Sequence, residues 1–233
     1  MHNQIQISTV DGTLSAYVAR PVVTPAPAVV VIHEVFGVNA DMRQSCDELA
    51  AQGYLAICPD LFWRTEPGLD LSDRTEAERA KALALYTAFD LDAGVRDIAA
   101  TIEAARAMPD ATGKVGLVGY CLGGLMTYLT TARVGADVAV AYYPGNTHLH
   151  LEEAAGIESP LIVHLAGEDE YIPKETQQQI VAALVNHAQV EVHRYPGCHH
   201  AFARHRGMSY DAEAAALANS RTDAFLARYL KKG

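Results

Sequence analysis

A possible nucleophile lies in the string Gly-Tyr-Cys-Leu-Gly at residues 119–123, where Cys121 has a glycine two positions away on each side. The string follows an apolar run at 114–118, which predicts a buried strand, and precedes a helical pattern over 125–131. This is the form of a nucleophile elbow, with cysteine in the serine position and backbone N–H groups able to meet an oxyanion. The string predicts covalent catalysis by Cys121. The alternative is a buried cysteine in a turn that packs closely or binds phosphate.

Two later loops carry side chains that could assist a thiol. Asp169 lies in an acidic loop after the apolar run 160–165, and His200 follows the run 190–195. A carboxylate can orient a histidine, and a histidine can act as general base to a thiol. Taken singly, such acids are usually solvated or cap helices, and such a histidine is usually an ordinary loop residue. The order nucleophile, acid, base, each just after an apolar strand, favours a catalytic triad.

Other apolar patterns predict the scaffold that positions these loops. Residues 4–10 and 14–19 alternate around Asp11-Gly12 and predict a hairpin. Further strands are predicted at 28–32, 54–58 and 138–142. Helices are predicted around 42–49, over 91–105 behind an Asp90 cap, and at the C-terminus through Leu217, Phe225, Leu226 and Tyr229. The alternation predicts a single α/β domain over residues 1–233, with a mostly parallel central sheet and helices on both faces.

Composition excludes several classes of function. The chain has 233 residues, half of them hydrophobic, and 18 basic against 28 acidic side chains give a formal net charge of −10. Nucleic acids and anionic membranes need a basic patch, so neither is an expected partner. No apolar run approaches the roughly 18 residues of a membrane span. The polar N-terminal segment lacks a secretory pattern and the four cysteines are far apart, so we expect reduced thiols and a cytoplasmic location.

The whole chain resembles the dienelactone hydrolase (carboxymethylenebutenolidase) family of the α/β-hydrolase fold. The residues that carry the likeness are those at 33–39, 88–95, 114–124 and 200–204. The resemblance implies Cys121 as nucleophile, His200 as base and Asp169 as the residue that orients it. It also implies a role for Glu34 in tuning the ionisation of the nucleophile. The remaining residues that it implicates are the backbone N–H groups of Leu122 and Val35 as an oxyanion hole, Arg79 and Arg204 as ligands of a substrate carboxylate, and Phe36 and Tyr143 as substrate contacts.

Two assignments have open alternatives. His199 stands directly before His200, but His200 keeps the family's spacing to Phe202 and Arg204, which favours it as the base. Arg79 lies in a predicted helix at 75–89 that matches the family less well than the loops do. Its alternative is an exposed arginine on a charged helix face.

The predicted function is a cofactor-free and metal-free hydrolase that opens an enol-lactone (dienelactone, 4-carboxymethylenebut-2-en-4-olide) to a dicarboxylate through a cysteine thioester. The expected partner is a small anionic lactone or ester, and the expected state is a monomer or weak homo-oligomer. The main alternative is a carboxylesterase or lactonase with another substrate. Less favoured are an inactive binding protein and a metal site, the latter built from Cys198, His199, His200, His205 and perhaps His193.

Overall fold

The computed structural model describes residues 3–231, and the chain divides into two compact units, Met1–Leu117 and Val118–Gly233. The elements of the first unit are β1 (Gln4–Thr9), β2 (Gly12–Ala19), β3 (Ala26–Ile32), α1 (Ala40–Ala51), β4 (Leu55–Pro59), α2 (Glu76–Thr87) and α3 (Leu91–Ala107). Strand β5 (Ala111–Tyr120) begins in the first unit and ends in the second.

The first unit combines a hairpin with parallel strands. The strand order is β1-β2-β4-β3, with β5 next to β3. Strands β1 and β2 pair antiparallel from Gln4↔Tyr17 to Thr9↔Gly12, β2 is antiparallel to β4, and β4 is parallel to β3. Each helix begins at a polar side chain that accepts a backbone N–H three residues later, as N-caps do. These caps are Asn39, Thr75 and Asp90.

The second unit holds the chain's three remaining predicted strands. Its elements are α4 (Leu122–Arg133), β6 (Val138–Tyr142), a 3₁₀ segment (Thr147–Gly156), β7 (Leu161–Ala166), α5 (Lys174–Leu184), β8 (Val190–Tyr195) and α6 (Ala212–Leu230). The strand order runs from β5 through β6 and β7 to β8, with β6, β7 and β8 parallel. Every residue of β6 and β7 is buried, which is typical of parallel strands covered on both faces. Helices α4 and α6 both pack against β6.

The mostly parallel sheet with helices confirms the fold class. Every predicted strand overlaps an observed one, and the predicted ends differ from the observed ends by three residues at most. Two details differ from the sequence expectations. Helix α5 had not been predicted. Leu217 is 48% exposed and does not anchor α6, whose buried face runs through Ala218, Thr222 and Phe225 instead. The single-domain assignment stays a prediction.

Over residues 3–231, no helix combines the length and the apolar character needed to cross a membrane.

Candidate active site

Cys121 lies at the turn between β5 and α4 in a backbone conformation that side chains rarely adopt, with φ 55° and ψ −115°. Its N–H donates to the carbonyl of Tyr142 over 3.1 Å. A Cβ at Gly119 would overlap the Gly123 carbonyl and the Thr127 hydroxyl, and a Cβ at Gly124 would lie 2.5 Å from the Tyr142 carbonyl oxygen. The glycines are therefore required because strand and helix meet with no room for a side chain, and the strained turn presents the half-buried thiol.

The start of α4 favours negative charge beside the sulfur. Cys121 immediately precedes Leu122, the first residue of this 12-residue helix. The N-terminal N–H groups of a helix have no acceptor within it and carry a partial positive charge. The buried N–H of Leu122 is thus available to an oxyanion that forms beside Cys121.

Asp169 and His200 form the central hydrogen-bonded pair of the second unit. Oδ2 of Asp169 lies 2.8 Å from Nδ1 of His200. The other oxygen, Oδ1, accepts the backbone N–H groups of Tyr171 at 2.9 Å and Ile172 at 3.1 Å. The carboxylate is thereby fixed, and because it only accepts, Nδ1 of the imidazole must carry a proton.

The two loops that carry this pair are tied together through their backbones. Gly167 donates its N–H to the Tyr195 carbonyl, and Glu168 donates to the Cys198 carbonyl, each over 2.8 Å. His199, next to the paired histidine, is mostly exposed and faces Glu170 at 3.7 Å. Of the two adjacent histidines, only His200 is buried and bonded to the aspartate.

Burial and the two neighbouring side chains Cys121 and Asp169 act on the pKa of His200 in opposite directions. Burial lowers the pKa of His200, but the negative charge of Cys121 and the bond to Asp169 outweigh burial and raise the pKa to about 10. Among residues 3–231, no group lies within hydrogen-bonding geometry of Nε2 of His200. Cys121 therefore acts on the imidazole mainly through its charge. The raised pKa favours the protonated imidazolium form of His200 beside Cys121.

Aromatic rings surround the imidazole. The ring centroid of Tyr143 lies 5.0 Å from that of His200, and Tyr143 is fully buried. Tyr171 makes an edge contact with the same ring at 4.9 Å, although 66% of its own surface is exposed. Burial, Glu170 and Cys121 raise the pKa of the Tyr171 phenol, while Arg204 opposes them, so these charges lie within electrostatic reach of it. Tyr171 had not been singled out from the sequence, because a lone loop aromatic gives no periodic signal.

Arg204 is buried beside this cluster. It is 8% exposed, and its N–H donates to the carbonyl of Ala201, a residue held at φ 62°. A Cβ at Gly207 would lie 3.0 Å from Cδ of Arg204, so the glycine leaves room for the arginine stem. A buried guanidinium of this kind can bind a carboxylate with two parallel hydrogen bonds.

Glu34, Val35 and Phe36 belong to the first unit, in the loop after β3. Glu34 and Phe36 are buried and Val35 is half-buried. His33 fixes this loop: its Nε2 accepts the Leu61 N–H at 3.0 Å, so Nδ1 carries the proton that is donated to the Glu34 carbonyl at 2.6 Å. Burial lowers the pKa of His33, which is consistent with this neutral form.

Arg79 is an exposed residue of α2 in the first unit. Its guanidinium donates to the backbone carbonyl of Asp73 over 2.6 Å. This contact links the arginine to the loop that precedes its own helix.

Residues of the alternative metal site do not form a ligand cluster. Within the described part of the chain, one group of possible ligands comes together: His150, Glu152 and Glu153 in the 3₁₀ segment. Arg133 already binds both carboxylate oxygens of Glu153, at 2.5 and 2.7 Å, and His150 also contacts this side chain. The carboxylate charge is thus neutralised by arginine, which disfavours a cation there.

A family profile and the curated relatives place the chain in one family. A profile of the dienelactone hydrolase family matches residues 14–230. The carboxymethylenebutenolidase of Pseudomonas putida is 42% identical over 224 residues, which is 96% of this chain and 95% of that protein. The putative carboxymethylenebutenolidase of Azospirillum brasilense is also 42% identical, over 94% of this chain and 95% of its own.

Solved structures show the same fold. The crystal structure of a putative dienelactone hydrolase from Klebsiella pneumoniae superposes with a TM-score of 0.84 at 27% identity, covering 97% of this chain and 98% of its own. The dienelactone hydrolase from Anabaena variabilis gives 0.73 at 16% identity, covering 98% of this chain and 100% of its own. The α/β-hydrolase fold expected from the sequence is thereby confirmed.

Proposed function

The chain belongs to the dienelactone hydrolase family, and on that premise we propose that it opens an enol-lactone to a dicarboxylate through a thioester on Cys121. As a member, it is a hydrolase that acts on esters or lactones. The proposed substrate is the dienelactone 4-carboxymethylenebut-2-en-4-olide. The observation that supports the proposal is the buried His200–Asp169 pair, which lies in the same compact unit as the strained Cys121 elbow.

In the first half-reaction, the Cys121 thiolate attacks the lactone carbonyl carbon and forms a C–S bond. The carbonyl electrons move onto oxygen, where the N–H of Leu122 stabilises the charge. When the tetrahedral intermediate collapses, the ring C–O bond breaks and the enolate leaves. The enolate takes a proton from the His200 imidazolium. An enolate is a stabilised leaving group, so the acyl chain remains on sulfur as a thioester.

In the second half-reaction, neutral His200 removes a proton from water, and the resulting hydroxide attacks the thioester. The C–S bond breaks, the thiolate leaves, and the new carboxylic acid ionises to give the dicarboxylate. Asp169 holds the imidazole in the tautomer that leaves Nε2 free to transfer the proton. One water is consumed, and the thiolate–imidazolium pair is restored.

The family resemblance extends the proposal to residues of the first unit. It assigns Glu34 to the control of thiol ionisation, the N–H of Val35 to the oxyanion, and Arg79 to the substrate carboxylate, with Phe36 as a substrate contact. From the second unit, Arg204 would bind that carboxylate and Tyr143 would contact the ring. An acidic protein needs such local positive charge to bind an anionic substrate.

A cytoplasmic location is also part of the proposal, and it suits the four free thiols of the described chain. We further propose that the enzyme needs no cofactor and works as a monomer or weak homo-oligomer.

A trapped intermediate tests the covalent step. The lactone is mixed with wild type and with His200→Gln at pH 9, where a thiol ionises without assistance, and the reactions are quenched in acid for peptide mass spectrometry. Because ring opening releases no fragment, we expect the Cys121 peptide to gain the full mass of the lactone, most of all in His200→Gln. The adduct should persist in Cys198→Ala and vanish in Cys121→Ala. An adduct on another residue would contradict the mechanism.

A further inference from the structure

A row of hydrogen-bonded side chains runs behind the proposed triad, from α6 across the ends of β8, β7 and β6. Arg221 donates to the hydroxyl of Tyr195 at 3.1 Å, and this hydroxyl lies 2.8 Å from Nδ1 of His164. Nε2 of His164 lies 3.1 Å from the Thr222 hydroxyl, which lies 2.6 Å from the hydroxyl of Tyr142. Tyr142 in turn donates to Oδ1 of Asn219 at 2.9 Å.

The two ends of the row favour one direction for the hydrogen bonds between them. The guanidinium of Arg221 can only donate, so the Tyr195 hydroxyl accepts from it and gives its own proton to Nδ1 of His164. Nε2 must then carry the imidazole proton and donate it to Thr222. Thr222 donates to Tyr142, which donates to the amide oxygen of Asn219. In this arrangement all five bonds point from Arg221 to Asn219, and each of the three hydroxyls accepts one hydrogen bond and donates one.

The central histidine is neutral in this arrangement. His164 is fully buried, and burial together with the positive charges of His193 and Arg221 holds its pKa well below the usual value. The His193 ring stacks on it at 5.7 Å, while the rings of Tyr142 and Tyr195 flank it at 4.5 and 5.6 Å. A neutral imidazole with one donor and one acceptor nitrogen is what the row requires.

The same three strand residues also hold the catalytic loops through their backbones. The carbonyl of Tyr142 accepts the N–H of Cys121 at 3.1 Å. The carbonyl of His164 accepts the N–H of Tyr143 at 2.7 Å, and that of Tyr195 accepts the N–H of Gly167 at 2.8 Å. Each strand end is thus bonded by its side chain to the row and by its carbonyl to a loop of the candidate site.

We propose that the row Arg221–Tyr195–His164–Thr222–Tyr142–Asn219 is a positioning element that holds the Cys121 elbow in register with the His200 and Asp169 loops. The inference rests on the proposed function, because it assumes that these three residues react together. None of the six side chains needs to touch substrate. Their effect is exerted through the three carbonyls, so a break in the row moves reacting atoms without removing one.

Thr222→Val tests this role, because valine has the shape of threonine but neither accepts nor donates. It leaves the buried Nε2–H of His164 without an acceptor. We expect kcat to fall about tenfold or more, because small displacements of reacting groups slow a reaction strongly. KM should change far less. Thr222→Ser, which restores the hydroxyl, should recover most of kcat. The matched control is Thr101→Val in α3, which removes a buried threonine hydroxyl bonded only within its own helix.

Tyr195→Phe removes the hydroxyl that joins Arg221 to His164 and so breaks the row at a second place. It keeps the hypothesis testable if Thr222→Val fails to fold. It leaves the buried Nδ1 of His164 without a donor, and an unsatisfied buried acceptor is costly, as an unsatisfied donor is. We therefore expect the same split between kcat and KM as in Thr222→Val.

The rate of Cys121 alkylation by iodoacetamide, followed from pH 5 to 10, provides a readout independent of substrate. We expect its pH profile to move upward in Thr222→Val and Tyr195→Phe, because His200 no longer aligns with the thiolate, and to stay unchanged in Thr101→Val. If both row variants keep the kcat and alkylation profile of Thr101→Val, the positioning role is wrong. If wild type does not open the lactone, the proposed function fails, and the alkylation profiles still decide the role of the row.

Discussion

Asp169 accepts a hydrogen bond from Nδ1 of His200 with one carboxylate oxygen, at 2.8 Å. The other oxygen accepts two backbone N–H groups of the following turn, at 2.9 and 3.1 Å. Because both oxygens have fixed partners, the carboxylate cannot rotate away from the imidazole. The relationship sets the tautomer of His200 and leaves Nε2 for proton transfer.

Asp169→Asn tests this relationship directly. The asparagine oxygen can still accept the two backbone N–H groups, but its amide NH₂ would face Nδ1 and force the other tautomer. We expect kcat to fall by about a thousandfold or more, the scale seen when a triad aspartate becomes asparagine. Glu168→Gln, which removes a neighbouring half-exposed carboxylate bonded to Lys174, is the control and should stay within a few-fold of wild type. An equal loss in both variants would argue against the orienting role.

Gly119→Ala tests the steric origin of the elbow. The new methyl group would overlap the Gly123 carbonyl and the Thr127 hydroxyl, so the strand and α4 must separate. We expect loss of activity together with a lower midpoint in thermal unfolding. Gly113→Ala on the same strand is the control: its φ is +89° with open space around it, so it carries about 1–2 kcal/mol of backbone strain without a clash. If Gly119→Ala is no worse than Gly113→Ala, close approach is not what selects glycine.

Arg204→Ala tests recognition of an anionic substrate. Without the guanidinium, kcat/KM for an anionic dienelactone should fall about a hundredfold, roughly the cost of one charge-assisted bidentate contact. A neutral nitrophenyl ester should lose far less. Arg228→Ala, which removes an exposed arginine from α6, serves as the charge-matched control. Equal losses on both substrates would remove the anion-binding role of Arg204.

Acid should destabilise the protein through His164. Its pKa is held well below 6.5 in the folded state, so below pH 6.5 the unfolded chain takes up a proton that the folded chain refuses. The free energy of unfolding should therefore fall with decreasing pH, with this histidine contributing about 1 kcal/mol per pH unit. Urea unfolding of wild type and His164→Gln between pH 7.5 and 5.5 measures the difference. An identical slope would show that the pKa of His164 is not lowered in the folded state.

Apolar runs identified the strands because buried parallel strands have few polar residues, and the order of Cys121, Asp169 and His200 identified the pair that the structure joins. Helix α5 was not predicted because its buried positions include the polar Gln177, which interrupts the apolar periodicity. The row through His164, Thr222 and Tyr195 was not predicted either. Its members are separated by tens of residues, and each alone resembles an ordinary core side chain, so only the folded register brings them together.

Hydrolysis of the carboxymethylene-butenolide by wild type and by Cys121→Ala, beside a neutral nitrophenyl ester, tests the proposed nucleophile and substrate together. We expect wild type to turn over the lactone faster than the ester, and Cys121→Ala to turn over neither. Cys121-dependent turnover of the ester alone would retain the nucleophile and discard the dienelactone as substrate. Lactone turnover that survives in Cys121→Ala would contradict the central claim.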